Sequence, residues 1–375
     1  MNFKGDKLTR GKLTGGKLTG GKLIGEGSST CIFRPNLPCK NKKIDIDEKT
    51  ISKLFLEKPE KLLKEIKFNE KISKLPKSKE WSITLYNHCE APDYETIRKV
   101  EPDIDKCLKN NRQSKLENFD TLYGPYGGVS MDTAFNTLFV GESFKDEKIF
   151  IDKFKTFMKE CNSLFLGLNV MYKNKIIHYD IKPGNITYTD NKYKYIDFGI
   201  STTFNNKKEI EERALNEFGT DRIYIYYSFD ILYLYASKPK LYLEKYGKSR
   251  RNYDILKDIQ EVIFDRNYDL IHDELLNLAL NNGLNERQTI EKLDTYSLGI
   301  TISKLLFDNI IKNLDYLNDG QLIYKIKEIV NYPSFIPFLN LLKRMTEPIS
   351  TERISPVDAY KLYKKCMRSK KTIKK

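Results

Sequence analysis

The 375-residue sequence has no apolar run of the roughly 18 residues that a membrane-spanning helix needs. Asn162–Met171 is among its longest apolar stretches and stops well short. Residues 1–22 alternate lysine and glycine with no apolar core, so no secretory leader is expected. Histidine is scarce, at three, and the six cysteines (Cys31, Cys39, Cys89, Cys107, Cys161, Cys366) include no Cys-x-x-Cys pair. That pattern argues against a zinc site and a disulfide framework, and predicts a reducing, cytoplasmic setting. A broad basic face is missing as well. The net charge is +14, but residues 1–25 carry +5 and the last twelve carry +7, leaving +2 for the other 338. The body of the chain is therefore not expected to bind nucleic acid. The basic tail reads as solvated, with contact to acidic partners as the sharper alternative.

What is present fits a soluble globular protein, with 40% hydrophobic and 31% charged residues. The length corresponds to two or three domains of roughly 150 residues, enough for a full core without cross-links. A five-residue repeat, Gly11-Lys-Leu-Thr-Gly15, Gly16-Lys-Leu-Thr-Gly20 and Gly21-Lys-Leu-Ile-Gly25, matches neither helix nor strand periodicity. Residues 1–21 read as a low-complexity leader. Strands are predicted at Thr30–Phe33 and Thr50–Leu56, followed by a helix with Pro59 in its first turn and Pro76 beyond its end. Its apolar face is assigned to Leu62, Leu63, Ile66 and Ile72, and residues 77–121 read as irregular and polar. One long amphipathic helix is predicted over Lys148–Asn174, then a strand pair, Ile186–Thr189 and Tyr193–Ile196, joined at Asp190–Lys192. From 230 onward the pattern is helical, with Ile255, Ile259 and Val262 on one face, Leu275, Leu276 and Leu280 on another, and a stop at Gly283.

Chemistry concentrates in His178-Tyr-Asp-Ile-Lys-Pro-Gly-Asn185, followed by Ile196-Asp-Phe-Gly199. Asp180 can accept a hydroxyl proton, and Lys182 can neutralise a phosphoryl oxygen. Asp197 at a strand end can hold a divalent cation, with Asn185 adding a neutral oxygen.

Both motifs, in this order across a hairpin, resemble the eukaryotic-type serine/threonine protein kinase family, in a divergent form similar to the kinases of large DNA viruses. The resemblance spans roughly residues 22–363 and implies an α+β, two-lobed fold. A small β-rich lobe with its hinge is assigned to residues 22–126. A larger α-helical lobe follows over 127–363, with an inserted helical segment at about 232–290, and residues 364–375 form the basic tail. Ile24-Gly-Glu-Gly-Ser-Ser-Thr30 resembles the glycine-rich loop, in which Gly25 and Gly27 let backbone N–H groups approach phosphate, although Thr30 replaces the third glycine. Ile24 and Ile32 would contact adenine. Lys53 resembles the ATP-anchoring lysine. Glu65 resembles its helix partner, because apolar residues fall at +1, +3 and +7 from it, whereas the same offsets from Glu70 give Lys71, Ser73 and Lys77.

Leu122, Tyr123 and Pro125 resemble the hinge, and Gly219-Thr220 the pair whose threonine braces the catalytic Asp. Asp294 resembles the acid that holds the catalytic-loop backbone. Asp230 stands where the family has a Glu, and Arg353 resembles that acid's buried partner, with a bidentate pair expected.

The resemblance implies transfer of the ATP γ-phosphoryl group to Ser or Thr of protein substrates, with ATP and Mg²⁺ as cofactors and a monomer expected. Lys182 and Gly219-Thr220 resemble the Ser/Thr branch. A pseudokinase acting as an ATP-binding scaffold is the alternative, and a small-molecule phosphotransferase ranks third, because it would lack Asp-Phe-Gly. The residue before Asp180 is Tyr179, where kinases switched by phosphorylation carry an Arg. Glu209, Glu211 and Glu212 could then supply fixed negative charge to Arg213 or Arg222, so activity independent of phosphorylation at Ser201, Thr202 or Thr203 is expected.

Overall fold

The computed structural model describes residues 21–27, 30–56, 59–101, 104–106, 119–140, 144, 146–219, 224–235 and 250–368. The leader repeat before residue 21, Thr220, Arg222, Tyr242, Tyr246 and the end of the basic tail lie outside the described residues. The chain divides into two compact units, Met1–Leu63 with Leu85–Tyr126, and Lys64–Thr84 with Gly127–Lys375. In chain order the first elements are β1 (Lys22–Glu26), β2 (Thr30–Arg34), β3 (Thr50–Phe55), α1 (Pro59–Ser73), α2 (Ser78–Trp81), β4 (Asn87–Glu90), α3 (Tyr94–Val100) and β5 (Asp120–Pro125). The division between the units falls within α1.

The first unit is an antiparallel sheet in the order β1-β2-β3-β5-β4. β2 forms because Cys31 and Phe33 alternate with less buried neighbours, the period of a half-buried strand. Those two side chains pack with Leu54, Leu56, Ile97 and Phe119 into one small core. The irregular reading of residues 77–121 is corrected by β4 and α3. β4, Asn-His-Cys-Glu, is a short polar edge strand with no hydrophobic alternation to betray it. α3 has only seven residues and is started by Asp93, whose carboxylate accepts from Thr96 N at 2.8 Å.

The expectation of unpaired cysteines is also corrected. Cys39 and Cys89 are joined, with Cα atoms 5.9 Å apart across 50 residues of sequence, and Cys31 is disulfide-bonded too. Local cysteine spacing carries no information about a contact that β4 creates from so far along the chain.

The second unit continues with β6 (Val129–Ser130), α4 (Met131–Leu138), α5 (Glu147–Glu160), α6 (Asn162–Lys173), β7 (Ile176–Ile177), β8 (Ile186–Thr189), β9 (Lys192–Tyr195), β10 (Thr202–Thr203) and α7 (Lys207–Gly219). After these come α8 (Phe229–Tyr235), α9 (Arg250–Asp258), α10 (Tyr268–Leu280), α11 (Glu286–Glu291), α12 (Leu293–Asn313), α13 (Asp319–Val330), α14 (Ile336–Met345) and α15 (Pro356–Arg368). Its core is aromatic. Phe154 meets Phe335 edge-on at 4.8 Å, and Phe135 meets Phe157 at 4.7 Å. Through this core runs α12, which is buried along most of its length.

The single helix read over 148–174 is two helices broken at Cys161, where Ser163 Oγ donates to the carbonyls of Glu160 and Tyr193 and so satisfies the break. The hairpin strand starts at Lys192 rather than Tyr193. Asp190 and Asn191 both have left-handed φ (51° and 57°), which makes a two-residue type I′ turn. On α1 the buried face is Leu62, Glu65, Asn69 and Ile72, whereas Leu63 is 60% exposed.

Within 232–290 the described residues are largely helical, and Leu256, Ile259, Tyr268 and Leu275 join the same core as the rest of the unit. Leu275 is buried but Leu280 is exposed, and Gly283 N donates to Leu278 O at the helix end. A π-helical turn, Ile259–Ile263, turns Gln260 inward, where Nε2 donates to Thr346 O at 3.1 Å.

Candidate active site

Three elements of the second unit converge on one loop. His178 N and Tyr179 N donate to Asp294 Oδ2 and Oδ1 at 2.7 and 3.1 Å, so one carboxylate from the start of α12 holds two consecutive amides. Burial pushes the Asp294 carboxyl up, and the His178 ring and both amides pull it back. His178 Nδ1 accepts from Asp180 N at 3.3 Å, and Nε2 lies 3.0 Å from Ile196 O. Because a carbonyl can only accept, Nε2–H is the donor in that contact. Tyr179 is held at φ 68°, a left-handed conformation uncommon for a side chain of this size, and its O accepts from Tyr227 OH at 2.8 Å. Such strain persists only where the surroundings over-determine it.

This loop presents Asp180, whose Oδ2 accepts from Asn185 Nδ2 at 2.6 Å and lies 2.9 Å from Lys182 Nζ. Asn185 Nδ2 also donates to Asp180 O at 3.0 Å, so the 3₁₀ turn Pro183–Asn185 fixes the carboxylate from below. The other oxygen, Oδ1, accepts from the hydroxyl of Tyr224. Nothing in the local sequence marks Tyr224, which lies 44 residues from Asp180.

Asp197 also has a left-handed φ, 60°, and its Oδ1 accepts from Gly199 N at 3.3 Å. A Cβ on Gly199 would sit 2.7 Å from Glu65 Oε2 and 3.2 Å from Asp197 Oδ1. The buried Glu65 carboxylate therefore borders the Asp197–Gly199 turn, and a side chain at 199 would displace it. Glu70, on the same helix, is exposed.

Beyond the turn, β10 pairs antiparallel with β7, and α7 begins four residues later at Lys207. Glu209 Oε2 accepts from Thr202 Oγ1 at 2.6 Å and from Asn206 Nδ2 at 2.8 Å, while Oε1 pairs with Arg213 Nη2 at 3.1 Å and with Lys64 Nζ. Burial and then the Arg213 charge pull the Lys64 ammonium down to about 8, and the touching Glu209 carboxylate opposes them. Lys64 escapes sequence reasoning because 145 residues separate it from Glu209.

In the first unit, Lys53 is buried on β3, opposite Ile32 of β2 and Leu122 of β5. Ile24 is exposed on β1, and Gly25 follows a shift in register between β1 and β2. Gly27 N donates to Thr30 O at 2.7 Å. Leu122 is buried, Tyr123 OH accepts from Lys42 Nζ at 2.9 Å, and Pro125 is exposed at the end of β5.

The expected Asp230–Arg353 pair is present and fully buried, with Arg353 Nη2 donating to Asp230 Oδ2 at 2.9 Å. It is not bidentate. Asp230 Oδ1 is taken by Ser228 Oγ, and the guanidinium turns Nε to Glu347 O at 2.7 Å. The oxygen that the expectation gave to a second guanidinium nitrogen is held by the Ser228 hydroxyl instead.

A family model described as protein kinase domain matches residues 133–225, about a quarter of the chain. The match covers the loop from His178 to Asn185, the Asp197 turn and Glu209. No curated protein matches the chain.

Proposed function

We propose, for a chain that belongs to the protein kinase family over residues 133–225, that it transfers the ATP γ-phosphoryl group to Ser or Thr hydroxyls of protein substrates. The observation that carries this reading is the Asp180 carboxylate, oriented on one oxygen by both Asn185 and Lys182. In this reading Asp180 receives the hydroxyl proton, and Lys182 offsets charge on the transferred group. Lys53 is assigned to the α- and β-phosphates and Glu65 to the role of its acidic partner, with Ile24, Gly25, Gly27, Ile32, Leu122, Tyr123 and Pro125 assigned to the nucleotide.

The donor set suits Mg²⁺. Asp197 supplies a carboxylate, and Asn185 spends its N–H on Asp180, which leaves its amide oxygen for a hard cation. Among the described residues there is no group of three or more His, Cys, Asp or Glu that could hold a metal alone. Bound at Asp197 and Asn185, the metal would neutralise charge on the phosphates.

The test is labelled-phosphate transfer from ATP to a generic basic protein, with Asp180→Asn and Asp197→Ala as controls. Asp180→Asn should cost at least about 10²-fold in turnover while ATP affinity stays near wild type. Near wild-type transfer by Asp180→Asn would overturn the assignment. A scaffold that binds ATP without transfer is favoured by one observation, the Tyr224 hydroxyl on Asp180 Oδ1. ATP binding with no transfer from wild type would select it.

A further inference from the structure

We infer that Glu209 is a positioning residue whose carboxylate clamps Lys64 and so holds Glu65 beside the Asp197–Gly199 turn, with no modification of the intervening segment. The catalytic meaning of this clamp rests on the kinase reading; its geometry does not.

The Glu209 carboxylate has too many partners to be a surface ornament. Glu209 serves Thr202, Asn206, Arg213 and Lys64, drawn from β10, the turn before α7, α7 itself and α1. Its side chain is 19% exposed, against 30% for Lys64 and 20% for Arg213, so solvent screens these contacts only in part. Lys64 directly precedes Glu65. Successive side chains on a helix point about 100° apart, so fixing Lys64 sets the rotation that aims Glu65 at Gly199.

Two observations argue that this arrangement needs no added phosphate. The hydroxyls that could carry one are largely committed. Ser201 and Thr202 are fully buried, with Ser201 Oγ donating to His178 O at 3.1 Å and Thr202 Oγ1 to Glu209. The position before Asp180 offers no cation to receive one. Tyr179 instead places its ring beneath the Arg213 guanidinium at 5.3 Å and donates its hydroxyl to Ile210 O at 3.2 Å. Cation and anion both come from α7, and they close on each other and on α1.

The test uses full-length protein made in bacteria. Phosphatase-treated wild type should match untreated enzyme. Glu209→Gln should lose about tenfold or more in kcat/KM, the size expected for a charge-assisted contact of about 1.5–3 kcal/mol. Glu209→Asp should recover part of the loss. Because Glu209 acts through Glu65, Glu65→Gln with Glu209→Gln should be no slower than Glu65→Gln alone, an epistasis that a merely structural role would not produce. Wild-type kinetics from Glu209→Gln, additive losses in the double variant, or inactivation by phosphatase would each overturn the inference. If wild type is no more active than Asp180→Asn, the kinase reading fails, and hydrogen exchange then judges the clamp. Amides 62–72 should exchange faster in Glu209→Gln, and unchanged exchange would overturn it.

Discussion

Replacing Arg353 with Met should be among the most damaging single substitutions in the second unit, although it touches none of the residues assigned to phosphoryl transfer. Both partners of the Asp230–Arg353 pair have no exposed side-chain surface. Arg353 also donates to Glu347 O and to Pro348 O at 2.7 and 2.8 Å, and its guanidinium lies 5.1 Å from the centre of the Tyr296 ring. Met retains volume and apolar contact but leaves a buried carboxylate with only the Ser228 hydroxyl, and two carbonyls without these donors. Breaking a buried pair from one side costs about 3–5 kcal/mol, because the orphaned charge keeps its desolvation penalty without its partner. Against a total stability of roughly 5–15 kcal/mol this is a large share. At about 2–4 °C per kcal/mol for a unit of this size, the melting temperature should fall by roughly 10 °C. Thermal unfolding followed by circular dichroism reads the effect directly. Arg353→Met with Asp230→Asn should recover part of the loss, since it removes the stranded charge. A melting temperature for Arg353→Met within about 2 °C of wild type would refute the energetic argument. A double variant no better than the single one would refute its cause.

Tyr224→Phe removes the hydroxyl from Asp180 Oδ1, where a substrate hydroxyl would have to donate, so turnover at saturating substrate should rise; a fall would make Tyr224 a brace instead. His272 is held below its ordinary pKa by burial, with Asp273 and Asp269 opposing, and its Nε2 lies 2.7 Å from Tyr233 OH. Its folded pKa lies below the unfolded value, so its contribution is complete above about pH 6.5 and is lost as pH falls through the lowered pKa. Thermal melts from pH 7.5 to 5 should therefore lose less stability in His272→Gln than in wild type, and equal losses would discard the idea. Reduction of Cys39–Cys89, which closes a loop across 50 residues, should weaken the first unit by about 4 kcal/mol on chain-entropy grounds. Unchanged denaturant unfolding in Cys39→Ser with Cys89→Ser would contradict that.

What could be read from the sequence was chemistry packed into a few consecutive residues. His178–Asn185 and Ile196–Gly199 declared themselves because their reactive side chains lie within a few consecutive positions and bond partly to one another. The β8–β9 hairpin was visible for the same reason, and its strand boundary slipped by one residue only because Asp190 and Asn191 make a tighter turn than three residues would. Asp294 and Arg353 lie 116 and 123 residues from their partners, and they became visible only through a resemblance that supplies long-range pairings. Where no such template applied, distance defeated the reading. Cys39 with Cys89 and Lys64 with Glu209 are ordinary residues until the fold brings them together.

Tyr179 shows how a departure from the family pattern carries structural information. By itself it removes a cation from beside Asp180, and a reader of sequence can say only that a phosphate would find no partner there. The fold supplies the rest of the reason. An arginine at 179 would bring a second cation toward the Arg213 guanidinium that already lies over this ring, and it would lose the hydroxyl that reaches Ile210 O. An aromatic ring suits a left-handed, fully buried position under a guanidinium, because it accepts the cation on its face without bringing a charge of its own. Tyr179, Arg213 and Glu209 therefore form one arrangement. The neutral ring admits Arg213, Arg213 engages Glu209, and Glu209 reaches Lys64. Changing Tyr179 to the family's arginine would set like charges against each other in a partly buried site, and the expected result is a looser segment rather than a restored switch.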